Sequence, residues 1–200
     1  MFRIACLLIG YAFGLLQTSF IIGKMSGIDI REHGSKSAGF TNTNRVLGIK
    51  KGAIVFFIDI LKCVAAIVIA RAIFGEWHVL SGLYAGIGAM LGHVFPFYMK
   101  FKGGKGVACL LGLIIMLDWR VMAVSFLIGL VAVCITRFIS VASMLIATSM
   151  PLAMFAFGHG REAVALGAAI CVFTCFLHHA NIVRLVNGVE NKFSFKKKLN

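Results

Sequence analysis

Acidic side chains are scarce in this chain: seven Asp and Glu stand against twenty Lys and Arg, and charged residues of both signs make up only 14%. So small a charged share, with 60% hydrophobic residues and a mean hydropathy of +0.96, excludes an ordinary soluble domain, whose apolar share is about 45–50%. A net charge of +13 would suit nucleic acid, but the cations sit in short loops and the C-terminal tail. That placement is a membrane-topology signal, and no nucleic-acid partner is expected. The six cysteines, at 6, 63, 109, 134, 171 and 175, form no CxxC and no metal-like pairing with His. Buried reduced thiols are expected, and neither a metal nor a cofactor. No internal repeat or low-complexity linker divides the sequence, so residues 1–200 read as one domain. The apolar run from Ile4 to Ile22 is followed by no small-x-small cleavage site and reads as a retained first span.

What is present is a series of apolar runs, at 3–22, 52–72, 79–97, 106–118, 121–136, 139–158 and 162–181. A straight helix needs about 20 residues to cross the hydrocarbon. The expected architecture is therefore an all-α integral membrane protein, a bundle of seven transmembrane helices. Asp118 and Arg120 divide the fourth run from the fifth; six spans, with 106–136 as one bent helix, is the alternative. An odd count puts the termini on opposite sides. The positive-inside rule then places the C-terminus in the cytoplasm and the N-terminus outside. Cytoplasmic would be Lys24, Arg31, Lys36, Arg45, Lys50, Lys51, Lys100, Lys102, Lys105, Arg137, Arg184, Lys192, Lys196, Lys197 and Lys198; Arg3, Arg71, Arg120 and Arg161 would lie opposite. Lys62 alone falls within a span, three residues from Asp59 on one helix face. That spacing permits an ion pair, read as structural, at a depth where a lone charge costs about 2.5–3.5 kcal/mol.

Three polar islands fall on the expected cytoplasmic face. Residues 34–45 hold Gly34, Ser35, Lys36, Ser37, Thr41, Asn42 and Arg45 among others, with no acidic residue between Ser35 and Arg45. Such a donor-rich stretch suits phosphate oxygens. The second island contains Lys102, Gly103, Gly104, Lys105 and Gly106, where glycines permit close backbone approach and lysines add charge. It is not a P-loop, which would need Gly at Met99 and Ser or Thr at Gly106; a flexible basic turn is the bland alternative. Pro96 is expected to end or bend the preceding span. In the third island His178 and Asn181 share a helix face, with Glu190 and Lys192 beyond. Thr136, Arg137, Ser140 and Ser143 form a weaker polar strip, whose hydroxyls by default bond to the preceding helical turn.

Taken together these residues resemble the PlsY-type acyl-phosphate:glycerol-3-phosphate acyltransferases of bacteria. The resemblance is carried by Asp29-Ile30-Arg31 followed by GSxxxGxTNxxR (34–45), by GHxFPFxxxFKGGKGVA (92–108) and by HxxNIxRLxxGxExKF (178–193). It implies a seven-helix enzyme of the bacterial plasma membrane whose cytoplasmic pocket binds glycerol 3-phosphate and a long-chain acyl phosphate. The sn-1 hydroxyl attacks the acyl carbonyl, giving lysophosphatidic acid and inorganic phosphate, the first step of phospholipid synthesis. It further implies that Ser35 and Arg45 hold phosphate and reacting groups. Lys105 with Gly103, Gly104 and Gly106 would form the phosphate loop, His178 and Asn181 would contact glycerol phosphate, and Glu190 would maintain structure. Ser143 is a looser correspondence. An acyl phosphate carries a good leaving group, so alignment and charge stabilisation are the protein's main tasks. A substrate phosphate oxygen is the preferred proton acceptor and His178 the alternative. A monomer in the lipid bilayer is expected.

This chain departs from the family pattern at Lys36-Ser37, where Gly-Asn is common, and at Phe40, where Ala is usual. It departs again at Leu15-Leu16-Gln17 in place of Ser-Ile-Pro, and at Cys109 in place of Thr. Acyltransferases that use thioesters typically carry HxxxxD; the residues five positions after the six histidines are Ala38, Leu83, Tyr98, Val164, Val183 and Arg184. The remaining alternative is a transporter for an anionic phosphorylated solute. Against it stand the lack of repeated broken-helix pairs and the confinement of all three islands to one face.

Overall fold

The computed structural model describes residues 1–193, which contain helices, turns and loops; Lys196, Lys197 and Lys198 lie outside the described residues. The fold comprises two compact units, Met1–Leu113 and Ile114–Phe193.

In the first unit α1 (Phe2–Gly14) and α2 (Thr18–Met25) follow one another with a break at Leu15–Gln17. α3 (Phe40–Leu47) is a short amphipathic helix, α4 (Ile49–Ile73) a long apolar one, and α5 (His78–Val94) ends just before Pro96. The tightest packing joins α1 to α5. A Cβ at Gly10, Gly14, Gly88 or Gly92 would strike the facing helix backbone. Small residues at four-residue spacing on both helices are what let two backbones approach this closely in lipid. The break after α1 leaves carbonyls without helical partners. Buried Gln17 supplies them: its Nε2 donates to Gly14 O (3.3 Å), Gly92 O (3.2 Å) and His93 O (3.0 Å), which pins the end of α1 to the end of α5.

α6 (Val107–Leu117) begins in the first unit. The second unit contains α7 (Trp119–Thr136), α8 (Ile139–Ala156), α9 (Arg161–Leu177) and α10 (His179–Val186). Asp118 caps α7 by accepting from Arg120 N (2.8 Å), so the charged pair does interrupt the apolar run. α7 packs on α8 and α8 on α9. Leu127, Leu130, Ile135, Phe155 and Val172 are left exposed, as lipid-facing side chains would be.

Among the described residues the expected seven spans are corrected to five, or six if α9 and α10, bent by 57° at His178, count as one. The five are Phe2–Met25, Ile49–Ile73, His78–Met99, Trp119–Thr136 and Ile139–Ala156. The reason is helix length. α6 has 11 residues, about 16 Å of rise against about 30 Å of hydrocarbon. The six-span alternative with a bent 106–136 helix is also replaced, because Asp118 caps a separate helix. Five spans keep the termini on opposite sides and six put them on the same side, so the odd-number step no longer sets the orientation by itself.

Candidate active site

In the first unit, two of the three polar islands meet. The 34–45 segment is shaped from within by Asn42, which is buried. Its Oδ1 accepts from Ser35 N (2.8 Å), and its Nδ2 donates to Ile30 O and His33 O (both 3.0 Å). Sequence reasoning placed Asn42 among phosphate-binding residues; its amide is engaged in holding the loop. Gly34 has φ +60, and a Cβ there would collide with Asn42 Oδ1. Thr43 Oγ1 lies 2.7 Å from Ser19 Oγ and donates to Gly39 O (3.0 Å), fixing α3 against α2. Asp29 is clamped by Arg31 through Oδ1 (3.0 Å) and Oδ2 (2.8 Å). That clamp holds the Asp29 carboxyl well below the usual carboxylate range despite some desolvation. Arg31 also reaches Met99 O (3.4 Å), tying this loop to the turn after α5.

The glycine-lysine loop folds back on the end of α5. Gly103 N donates to Val94 O (3.0 Å) and Gly104 N to His93 O (3.2 Å), so both amides satisfy terminal carbonyls of α5. These glycines serve close approach. A Cβ at Gly103 would strike His93 O, and one at Gly104 would strike His93 Nε2 and come within 2.6 Å of Ala38 O. Ala38 N donates in turn to Gly103 O (3.4 Å), which joins the two islands. Gly106 takes φ +75 and leads directly into α6. Lys105, half-buried, and the first N–H groups of α6 therefore leave the loop together, the arrangement that suits an anion. Ser35 and Lys102 are exposed; Ser37, Thr41 and Arg45 are half-buried.

Sequence reasoning missed the buried network behind this loop. Lys62 Nζ lies 2.8 Å from Asp59 Oδ1, and both side chains are almost wholly buried, so the expected ion pair forms. Lys62 also donates to Leu16 O (2.6 Å) and lies 2.9 Å from His93 Nδ1, while Thr18 Oγ1 donates to Asp59 Oδ1 (3.1 Å). The one signal in the sequence was His93 in GHxFPF.

In the second unit, Glu190 is the hub. Its Oε1 accepts from Asn181 Nδ2 (2.7 Å) and Ser140 Oγ (3.0 Å), and its Oε2 from Arg184 Nε (2.7 Å). Burial pushes the carboxyl up, but the three hydrogen bonds and the Arg184 charge outweigh it and hold Glu190 below its ordinary value. Buried His178 stands at the α9–α10 bend, with Nδ1 at 2.8 Å from Thr174 O. A carbonyl only accepts, so Nδ1 carries a proton. Ser143 Oγ donates to Ile139 O (2.8 Å), the preceding turn.

This combination of a polytopic apolar bundle with basic, donor-rich loops at helix ends defines a membrane enzyme acting on anionic substrates. A family model described as glycerol-3-phosphate acyltransferase matches residues 4–188, and the chain belongs to that family. The glycerol-3-phosphate acyltransferase of Sinorhizobium fredii is 38% identical over 192 residues, covering 96% of this chain and 92% of the relative. That of Thermosipho melanesiensis is 40% identical over 187 residues, covering 92% and 89%. The crystal structure of PlsY (YgiH), an integral membrane glycerol 3-phosphate acyltransferase, in its glycerol 3-phosphate form superposes with a TM-score of 0.89 at 33% identity, covering 96% of both chains. Its lysophosphatidic acid form gives a TM-score of 0.85. The chain is thus a multi-pass acyltransferase of the bacterial inner membrane. It converts acyl phosphate and glycerol 3-phosphate to lysophosphatidic acid and inorganic phosphate. The transporter alternative falls away.

Proposed function

We propose that a substrate phosphate binds at Lys105, Gly106 and the start of α6, beside the 34–45 loop, and that this site faces the cytoplasm. The observation that carries the reading is the junction of the two islands, Ala38 N to Gly103 O, which sets Lys105 beside the loop that bears Ser35 and Arg45. Ser35, Ser37, Thr41, Lys102 and Arg45 supply further donors for phosphate oxygens. Asn42, Gly34, Gly103 and Gly104 hold the two loops in shape. The cytoplasmic assignment rests on charge. α4 and α5 both have spanning length, so the 24–51 and 100–105 segments lie at one end of this unit. That end carries Lys24, Arg31, Lys36, Arg45, Lys50, Lys51, Lys100, Lys102 and Lys105, against Arg3 and Arg71 at the other.

His178 and Asn181 contact glycerol phosphate in this reading, and Ser143 has a minor part. The sn-1 hydroxyl attacks the acyl carbonyl, phosphate leaves, and a substrate phosphate oxygen takes the proton. One observation favours His178 as acceptor instead: its Nδ1–H is bound to Thr174 O, which fixes the orientation of an imidazole, the side chain suited to proton transfer near neutrality. Kinetics of His178→Gln separate the two. A raised KM with kcat kept marks a contact, and a lost kcat marks the base. The chain works as one domain, since the family model runs through both units.

The test is phosphate release from palmitoyl phosphate by purified protein, dependent on glycerol 3-phosphate, with Lys105→Ala alongside. Lys105→Ala is expected to fold and lose turnover by at least about a hundredfold. Unchanged kinetics in that variant would overturn the phosphate site.

A further inference from the structure

We infer that His93 is a positioning residue for the glycine-lysine loop, held by Lys62 as the Nε2–H tautomer with its Nε2 edge set against Gly104. The inference rests on the reading of that loop as the phosphate site. The Lys62 ammonium has three N–H bonds and three acceptors: Asp59 Oδ1 at 2.8 Å, Leu16 O at 2.6 Å and His93 Nδ1 at 2.9 Å. An ammonium only donates, so Nδ1 must offer its lone pair, and the ring proton resides on Nε2. Asp59 Oδ1, at 3.8 Å from Nδ1, is beyond hydrogen-bond reach and does not compete for that nitrogen.

The ring thus has one face of its chemistry fixed inside the bundle and the other turned to the loop. Nε2 and Ala38 O converge on the side of Gly104 where a Cβ would stand. The backbone of the same residue, His93 O, accepts from Gly104 N. His93 therefore meets the loop twice, one residue before Lys105: its carbonyl accepts from Gly104 N, and its ring fills the space beside Gly104. Thr18 completes the chain from α2 through Asp59 and Lys62 to the ring. A residue that sets loop curvature acts on substrate binding through Lys105; it does not touch reacting atoms.

The experiment uses the full chain in lipid nanodiscs with isotope-labelled histidine, the His93 ring being assigned by its loss in His93→Gln. Ring nitrogen shifts are expected to show a neutral Nε2–H tautomer for His93. An Nδ1–H pattern overturns the inference without any appeal to activity or to the folding of a variant. Kinetics give the second arm, with KM measured for both glycerol 3-phosphate and palmitoyl phosphate. Folded His93→Leu should raise at least one KM about tenfold with kcat within about threefold, because the planar ring edge no longer stands against Gly104. His93→Gln, whose planar amide refills part of the ring's place beside Gly104, should recover most of that loss. If Lys105→Ala is inactive while folded His93→Leu keeps both KM values, the positioning role is overturned and the phosphate site stands. If Lys105→Ala keeps wild-type kinetics, the phosphate site itself fails and takes the positioning role with it.

Discussion

Replacing Glu190 by Ala should destabilise the second unit by about 3–4 kcal/mol, and the figure can be worked from three bonds. Asn181 and Ser140 each donate to a carboxylate that is only 7% exposed; losing such a bond costs about 1–1.5 kcal/mol each. Arg184 is one-third exposed, so water replaces much of its partner and its share is held to about 1 kcal/mol. In a chain of this size about 3–4 kcal/mol corresponds to a fall in Tm of about 10 °C. The assay is a circular-dichroism melt in detergent, paired with turnover per folded molecule. The pH dependence has a definite sign. Because the folded carboxyl is depressed, its stabilisation is fully present above the unfolded value of about 4.3 and lost as pH falls through the lower folded value. The gap in Tm between wild type and Glu190→Ala should therefore narrow below about pH 4. A Glu190→Ala protein that melts within about 2 °C of wild type would refute the structural role. So would one that is fully folded yet inactive.

Two further outcomes follow from backbone geometry. Lys36 sits at φ 58 where the family commonly has Gly; relieving that left-handed conformation with Lys36→Gly should stabilise the protein by about 0.5–1 kcal/mol, read as a rise in Tm, and a fall would refute the strain. Gly104→Ala should reduce turnover at least about tenfold in protein that still folds, because its methyl group must displace His93 Nε2 and Ala38 O. Wild-type kinetics in that variant would mean that the loop can move freely.

The departures from the family pattern gain a physical account in the fold. Gln17, standing where Pro is frequent, achieves by side-chain hydrogen bonds the helix break that Pro imposes by lacking an N–H. Cys109, in place of Thr, is buried with Sγ 3.6 Å from Asp59 O, which a hydroxyl at that position could also reach. Phe40, in place of Ala, packs its ring 5.1 Å from that of Phe56.

Hydropathy by itself determined that the chain lives in lipid, because 60% apolar residues in long runs leave no soluble alternative. The three ordered motifs determined the family, because residue types at fixed separations survive where local structure varies. The Asp59–Lys62 pair was legible too, since three-residue spacing puts both on one helix face. The number of spans was not, because an apolar run of thirteen residues at 106–118 looks like a short span until the helix it forms is measured. Nor could composition say which polar groups face a ligand and which are consumed in holding a loop. Asn42 and the amides of Gly103 and Gly104 read as phosphate donors in sequence. Only the tertiary structure decided that Asn42 holds the 34–45 loop, that the two glycine amides bond the end of α5, and that His93, quoted in the sequence only as part of GHxFPF, stands beside Gly104. A hydrogen-bond donor has a role only once its acceptor is known, and these acceptors come from residues far away in the chain.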